Sequence, residues 1–150
     1  MSKRPTWEEY FFKIATTTAE RSTCPRLSVG AVIVKDNQII STGYNGSVSG
    51  SQHCEDVGCF MVSGSCVRTV HAEQNAILTA SKQGINLKDS VIYVTHEPCY
   101  NCIKYIIQSG IKTVYYKNPY DSEVTSELKQ QILKDTGLEM IYIKGGYYEN

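Results

Sequence analysis

His71-Ala72-Glu73 and, beyond a β-branched run at Val91–Thr95, Pro98-Cys99-Tyr100-Asn101-Cys102 are the two stretches that decide how the chain is read. One imidazole and two thiols make a donor set that holds Zn²⁺ and leaves its fourth position open. Cys99 and Cys102 are spaced i, i+3, so on one helix both thiols face the same way. Proline is favoured at the first helical position, where its missing N–H is not needed, so Pro98 predicts a helix start. His71 falls in the predicted first turn of the preceding helix. Two helix N-termini then converge, and their positive ends favour thiolate over thiol. Glu73 stands two residues from His71 and does not share its direction, so it flanks the metal instead of ligating it. Cys-x-x-Cys alone reads equally as a redox pair or a structural zinc knuckle, and His-Ala-Glu alone is common. Their conjunction, with proline ahead of the cysteines and a strand feeding each helix, carries the reading.

Working outward, helix and strand signals alternate. Thr6-Trp-Glu-Glu9 is a capping box, and Trp7, Tyr10, Phe11, Ile14 and Ala15 recur at helical spacing, predicting a helix to about Arg21. Val29–Val34 reads as a strand, Asp36-Asn37 as a two-residue turn, and Gln38–Tyr44 as the returning strand. Residues 45–69 are rich in Gly and Ser without a period, which predicts a long functional or stapled loop. Helices follow from His71 to just before Gly84, from Pro98 to Ser109-Gly110, and from Ser122 to Thr136. Strands are predicted at Val91–Thr95, Thr113–Tyr116 and Glu139–Ile143. With no repeat and no linker, residues 1–150 read as one domain. The order implies an α/β fold, a five-stranded sheet covered by helices on both faces, with parallel pairing after the opening hairpin.

Composition narrows the function classes. The chain has 150 residues, is 41% hydrophobic, and balances fifteen basic residues against fifteen acidic ones. A neutral chain projects no field toward nucleic acid or an anionic membrane. No apolar run approaches the length of a bilayer span, and the N-terminus leads into an amphipathic stretch, so a soluble, cytoplasmic protein is expected. Six cysteines in that setting suggest metal ligands before disulfides.

The chain resembles the deoxycytidylate (dCMP) deaminases of the zinc-dependent cytidine deaminase superfamily. The resemblance runs from about Trp7 to Ile143. It rests on Arg21-Ser-Thr-Cys24, Val29-Gly-Ala-Val32, Thr42-Gly-Tyr-Asn-Gly46, Cys66-Val-Arg-Thr69, His71-Ala-Glu-Gln-Asn75 and Thr95-His-Glu-Pro-Cys99. The Gly-Tyr-Asn-Gly turn and the cysteine-bearing insertion before His71 point to the dCMP branch. The resemblance implies a three-layer α/β/α cytidine-deaminase-like fold, a homohexamer, and hydrolysis of dCMP to dUMP and ammonia. That activity lies in pyrimidine deoxynucleotide metabolism, upstream of dTTP. It makes Glu73 the catalytic proton carrier and His71, Cys99 and Cys102 the catalytic zinc ligands. It also implies control by dCTP and dTTP with Mg²⁺, although Thr79 and Lys82 stand where relatives carry an aromatic and an arginine.

Nucleotide contacts are expected outside the zinc site. Asn45, at a strand end, reads on composition as an Asn-Gly turn, and the resemblance turns it toward a sugar hydroxyl. Arg26 and Arg68 flank motif segments, and guanidinium forks suit phosphate. The Ala72 backbone is placed to grip the pyrimidine edge, and Tyr120 resembles a family position near the nucleotide. Cys24, Cys54, Cys59 and Cys66 amount to a full tetrahedral set for a structural zinc that would order the loop. Related deaminases mix Cys and His there, which makes His53 the substitute ligand. Three other functions compete. A nucleic-acid editing deaminase would want a basic stripe and stacking aromatics; here the charges balance, while eleven tyrosines leave room for stacking. A nucleoside deaminase typically has cysteine where His71 stands. A non-catalytic zinc protein has no use for an open position beside Glu73.

Overall fold

The computed structural model describes residues 3–120 and 125–144. Helix α1 spans Trp7–Ala19, two residues short of the predicted end. The capping box forms: Glu9 N–H donates to Thr6 Oγ1 and Thr6 N–H to the Glu9 carboxylate, both at 3.2 Å. Strands β1 (Gly30–Lys35) and β2 (Gln38–Tyr44) make the expected hairpin. Asp36 and Asn37 sit at φ 52° and 59°, the paired left-handed conformation that a tight two-residue hairpin turn requires.

The stretch predicted as a shapeless loop holds short elements. They are β3 (Gly46–Ser47), α2 (Cys54–Val57), β4 (Met61–Val62), β5 (Ser65–Cys66) and β6 (Thr69–Val70). β3 pairs antiparallel with β6 and β4 with β5. Ladders of two residues are too short to leave any periodicity in a sequence.

Helix α3 spans Ala72–Lys82, with Gly84 at φ 68° just past its end. β7 (Val91–His96), α4 (Tyr100–Gln108) and β8 (Thr113–Asn118) follow. α5 (Ser126–Thr136) and β9 (Glu139–Tyr142) complete the order. The predicted start of the last helix, residues 122–124, lies outside the described residues.

The main sheet has five strands in the order β2-β1-β7-β8-β9. It is the expected mixed sheet, but parallel pairing begins only at β7. β1 joins β7 antiparallel, and β7, β8 and β9 run parallel. Side chains alternate across the strands, so each strand feeds two layers. Val32, Val34 and Tyr93 pack under α1 with Phe11 and Phe12. Ala31, Ile33, Ile92 and Val94 pack on the other face with Ala72, Ala76 and Ile103 from α3 and α4. Phe11 and Phe12 are each 1% exposed, and burial of that kind stabilises by about 1.5–3 kcal/mol per side chain.

One glycine sets the depth of α3. A Cβ on Gly43 would stand 2.3 Å from the Ala72 carbonyl oxygen and 2.4 Å from the Ala76 nitrogen. No side chain fits there, so α3 lies directly on β2. Ser41 Oγ, donating to the Ala76 carbonyl at 2.6 Å, fixes the register of that contact.

Candidate metal centre and active site

His71, Cys99 and Cys102 come together at the meeting point of α3 and α4, their ligand atoms all within 4.8 Å of one another. His71 and Cys99 are not inside first turns, as predicted, but are the N-caps of α3 and α4. Cys102 sits in the first turn of α4. Each helix therefore presents its unsatisfied N–H groups and positive end to the same point. His71 Nδ1 lies 3.3 Å from Cys102 Sγ and 3.6 Å from Cys99 Sγ. Tetrahedral Zn²⁺, with bonds of about 2.0–2.1 Å to nitrogen and about 2.3 Å to sulfur, holds such donors about 3.6 Å apart. The donor set and spacing fit a zinc ion bound through Nδ1. His71 N–H donates to Gln74 Oε1 at 3.0 Å, which pins the cap.

The protonation chemistry also suits a cation. The Cys99 thiol is pushed down to about 4 by the hydrogen bond from Cys102 and by His71 beside it. Cys102 is held high by its hydrogen bond with Cys99, by burial and by the Glu73 charge. Cys99 in turn raises the His71 imidazole. The three groups share protons that a metal ion would displace.

Glu73 is 4% exposed, on the first turn of α3. Burial raises its carboxyl above the usual carboxylate range, against the smaller lowering effects of its own backbone N–H and His71. Its carboxylate also interacts with the Cys102 side chain. A buried carboxyl raised above its ordinary range and touching the ligand set is equipped to carry protons.

The predicted nucleotide contacts stand differently. Asn45 is buried with both ends of its carboxamide used: Oδ1 accepts from Val29 N–H at 2.9 Å and Nδ2 donates to the Leu27 carbonyl at 2.7 Å. One Nδ2 hydrogen remains for a ligand. Arg26 is exposed, its Nη1 3.4 Å from the Met61 sulfur. Arg68 is half-buried, and its Nε is enclosed without a hydrogen-bond partner. Ser47 Oγ shares that state. Ser47 pairs with Thr69, next to Arg68, across the β3–β6 ladder. Buried polar atoms without partners are rare, and these two lie at one end of the same ladder, Ser47 in β3 and Arg68 just before β6. Ala72 is fully buried, and Tyr120 is 50% exposed.

Two residues escaped the sequence reading. Ser47 carries no motif, and only its cross-strand neighbour gives it meaning. Asn75 lies inside a quoted motif. Its Nδ2 donates to the Tyr44 carbonyl at 2.8 Å, lashing the β2 end to α3.

The second cysteine group is only partly as expected. Cys54, Cys59 and Cys66 gather within 4.8 Å, with Cys54 and Cys66 sulfurs 3.6 Å apart. Burial and the neighbouring thiols push Cys54 up to about 12. Burial would raise Cys66 too, but N–H groups of the surrounding backbone, Arg68 and Thr69 among them, bring it down to about 7. Cys24 falls outside this group. It follows α1 by five residues, and its N–H donates to Ser22 Oγ at 3.2 Å. His53, the substitute, is also outside, its Nδ1 3.1 Å from Thr23 Oγ1. Both border the trio through the same short segment. Among the described residues no helix is long and apolar enough to cross a membrane.

Comparison with known proteins agrees with this geometry. The family model of the cytidine and deoxycytidylate deaminase zinc-binding region matches residues 5–118. The ComE operon protein 2 of Bacillus subtilis (strain 168) is 50% identical over 136 residues, 91% of this chain and 70% of the relative. The deoxycytidylate deaminase of Mycobacterium phage D29 is 43% identical over 124 residues, 75% of this chain and 95% of the phage protein. Among solved structures, the dCMP deaminase of cyanophage S-TIM5 in complex with dCMP and dUMP superposes with a TM-score of 0.78 at 33% identity. That match covers 95% of this chain and all of the cyanophage chain. With its zinc-binding region matched, its donor set in place and its fold shared, the chain belongs to the cytidine and deoxycytidylate deaminase family.

Proposed function

We propose that the protein hydrolyses dCMP to dUMP and ammonia. The observation that carries this reading is the buried Glu73, its carboxyl raised by that burial, beside the His71, Cys99 and Cys102 cluster. A zinc ion held by those three residues would supply a water whose pKa lies near 7. Glu73 takes a proton from that water and delivers it to N3 of cytosine as the water oxygen bonds to C4; it then takes the second proton, from the new hydroxyl on C4, and passes it to the amino group, so that the C4–N bond breaks, the C4 carbonyl forms and ammonia leaves. The enclosure of Glu73 keeps bulk water from trading protons with it. The Ala72 backbone, at the start of α3, grips the pyrimidine edge. Asn45 offers its remaining amide hydrogen to the sugar.

Choice of a nucleotide over a nucleoside falls to Arg68 and Arg26, with Tyr120 at the rim. The unpartnered Arg68 Nε and Ser47 Oγ support a phosphate there, since an anion would satisfy both. A second zinc at Cys54, Cys59 and Cys66, completed by Cys24 or His53, holds the segment that carries Arg68. A supply role toward dTTP, a homohexamer and control by dCTP and dTTP with Mg²⁺ belong to the same reading. Thr79 and Lys82, both exposed on α3, replace the effector contacts of relatives, so any effector response relies on other side chains. Thiolate ligands also favour a reducing, cytoplasmic setting.

The test is ammonia release measured side by side on dCMP, cytidine and a cytosine-containing oligonucleotide. Turnover of dCMP well above the other two is expected. Preference for the oligonucleotide, or for cytidine, would overturn the substrate assignment.

A further inference from the structure

Lys129 is a lysine on α5 only 8% exposed, and no step of the proposed reaction uses it. Its ammonium pairs with the Glu97 carboxylate, itself nearly enclosed. It also lies 3.4 Å from the Tyr120 carbonyl oxygen. Glu97 is the residue immediately before Pro98-Cys99. Its carboxylate takes the Tyr116 hydroxyl as well. Its N–H donates to the Asn118 carbonyl at 2.8 Å. Asn118 Nδ2 in turn donates to the Thr95 carbonyl at 2.6 Å.

The exit of β7 is therefore bonded to β8 and α5 just where it delivers the first thiol of the metal triad. Cys99 is the N-cap of α4, so no helical hydrogen bond from its own N–H fixes it. Its position is inherited from residues 95–98. Cys102 rides within α4; Cys99 caps it, its carbonyl accepting from Ile103 N–H at 3.0 Å, while the backbone that enters it is held by this bonded exit.

We propose that Lys129 is a positioning residue for the metal centre. Its buried ammonium holds Glu97, and through Glu97 the backbone entering Pro98-Cys99, so that Cys99 stays closed against His71 and Cys102. The same ammonium ties the Tyr120 backbone at the rim to the loop that carries the ligand. Lys129 touches neither substrate nor metal. The inference rests on the reading of the triad as a zinc site.

The experiment measures the rate of zinc release from the folded protein to an excess of a colour-forming chelator, with a thermal melt recorded alongside. His71→Ala identifies which release phase belongs to the triad. Lys129→Met and Glu97→Gln are each expected to speed that phase by about tenfold or more, the usual effect of removing a partner behind a ligand. The double variant Lys129→Met/Glu97→Gln, which strands no buried charge, should release zinc more slowly than Lys129→Met and faster than the parent. Release within about twofold of the parent in both single variants, even with a lowered melting temperature, would overturn the positioning role. If Lys129→Met does not fold, the double variant carries the comparison: faster release supports the role, and parent-like release overturns it. Loss of no phase in His71→Ala would instead sink the zinc reading, so the two failures are distinguishable.

Discussion

At the scale of the residue, Glu73 carries most of the chemistry proposed here, and its isostere isolates it. Glu73→Gln keeps size and hydrogen bonding but cannot ferry a proton. Turnover of dCMP should fall by about 10²–10⁴-fold, with zinc content unchanged by elemental analysis. The sign of the stability effect follows from the raised carboxyl. A carboxyl whose folded pKa lies above its unfolded value destabilises the fold as pH rises through the unfolded value, and keeps that penalty at neutral pH. In metal-free protein the variant should therefore melt at or above the parent temperature near pH 7. A lower melting temperature would assign Glu73 a structural role. The arginines make a second case. Arg68→Ala should lower kcat/KM for dCMP by about 10- to 100-fold, the worth of one charge-assisted hydrogen bond, and leave deoxycytidine nearly untouched. Arg26→Ala, at an exposed side chain, should show the same bias at smaller size. Equal losses on both substrates would return either residue to structure. The grouping of His71, Cys99 and Cys102 was legible because donor type and spacing are sequence properties. The state of Asn45 was not: its carboxamide spans the 27–29 backbone, a contact between segments sixteen to eighteen residues apart that no local pattern announces.

Elements were legible in proportion to their length. The capping box, the Asp36-Asn37 turn and the stop at Gly84 all act within four residues, so the sequence displays them. The β3–β6 and β4–β5 ladders pair two residues on each side, too short for a period, and the predicted loop there gave no sign of them. The direction of β1 against β7 was equally hidden, since pairing across the sheet is a tertiary choice. Gly43 shows how an element sets the site. Any Cβ at 43 drives into the α3 backbone at Ala72 and Ala76, and that backbone cannot give way as a side chain would. Gly43→Ala should cost about 1–3 kcal/mol by chemical denaturation, the range of forced overpacking. It should also tilt the first turn of α3, which carries Glu73 and follows His71, so the affinity for zinc should fall too. A destabilised variant that binds zinc as the parent does would mean that α3 is anchored from elsewhere, through Asn75 and its bond to Tyr44.

Across the whole molecule, the two faces of the sheet divide the labour. α1 closes one face through an aromatic and aliphatic cluster, while α3 and α4 on the other bring their N-termini together and leave a polar centre between them. The segment from β3 to β6 lies outside both layers and supplies Arg68 and Ser47. Its exposed apolar residues include Val57, Phe60, Met61, Val62 and Val67, so little of its own side-chain area is buried to hold it. What gathers it is the trio Cys54, Cys59 and Cys66. Repulsion opposes a second charge among three thiols drawn together without a cation: Cys66 comes down to about 7, while Cys54 is pushed up to about 12 and Cys59 is also raised. A metal ion reverses the sign of that interaction and adds its binding free energy to folding. Elemental analysis of protein purified without chelator should therefore find about two zinc ions per chain, one at each cluster. Cys59→Ser should remove about one of them and lower the melting temperature, while the triad keeps its own ion. Cys24→Ser and His53→Ala then decide the fourth ligand: the one that matches the zinc loss of Cys59→Ser completes the site. A parent stoichiometry of one zinc per chain would instead leave the trio as buried thiols, and Arg68 would owe its position to the β3–β6 ladder alone.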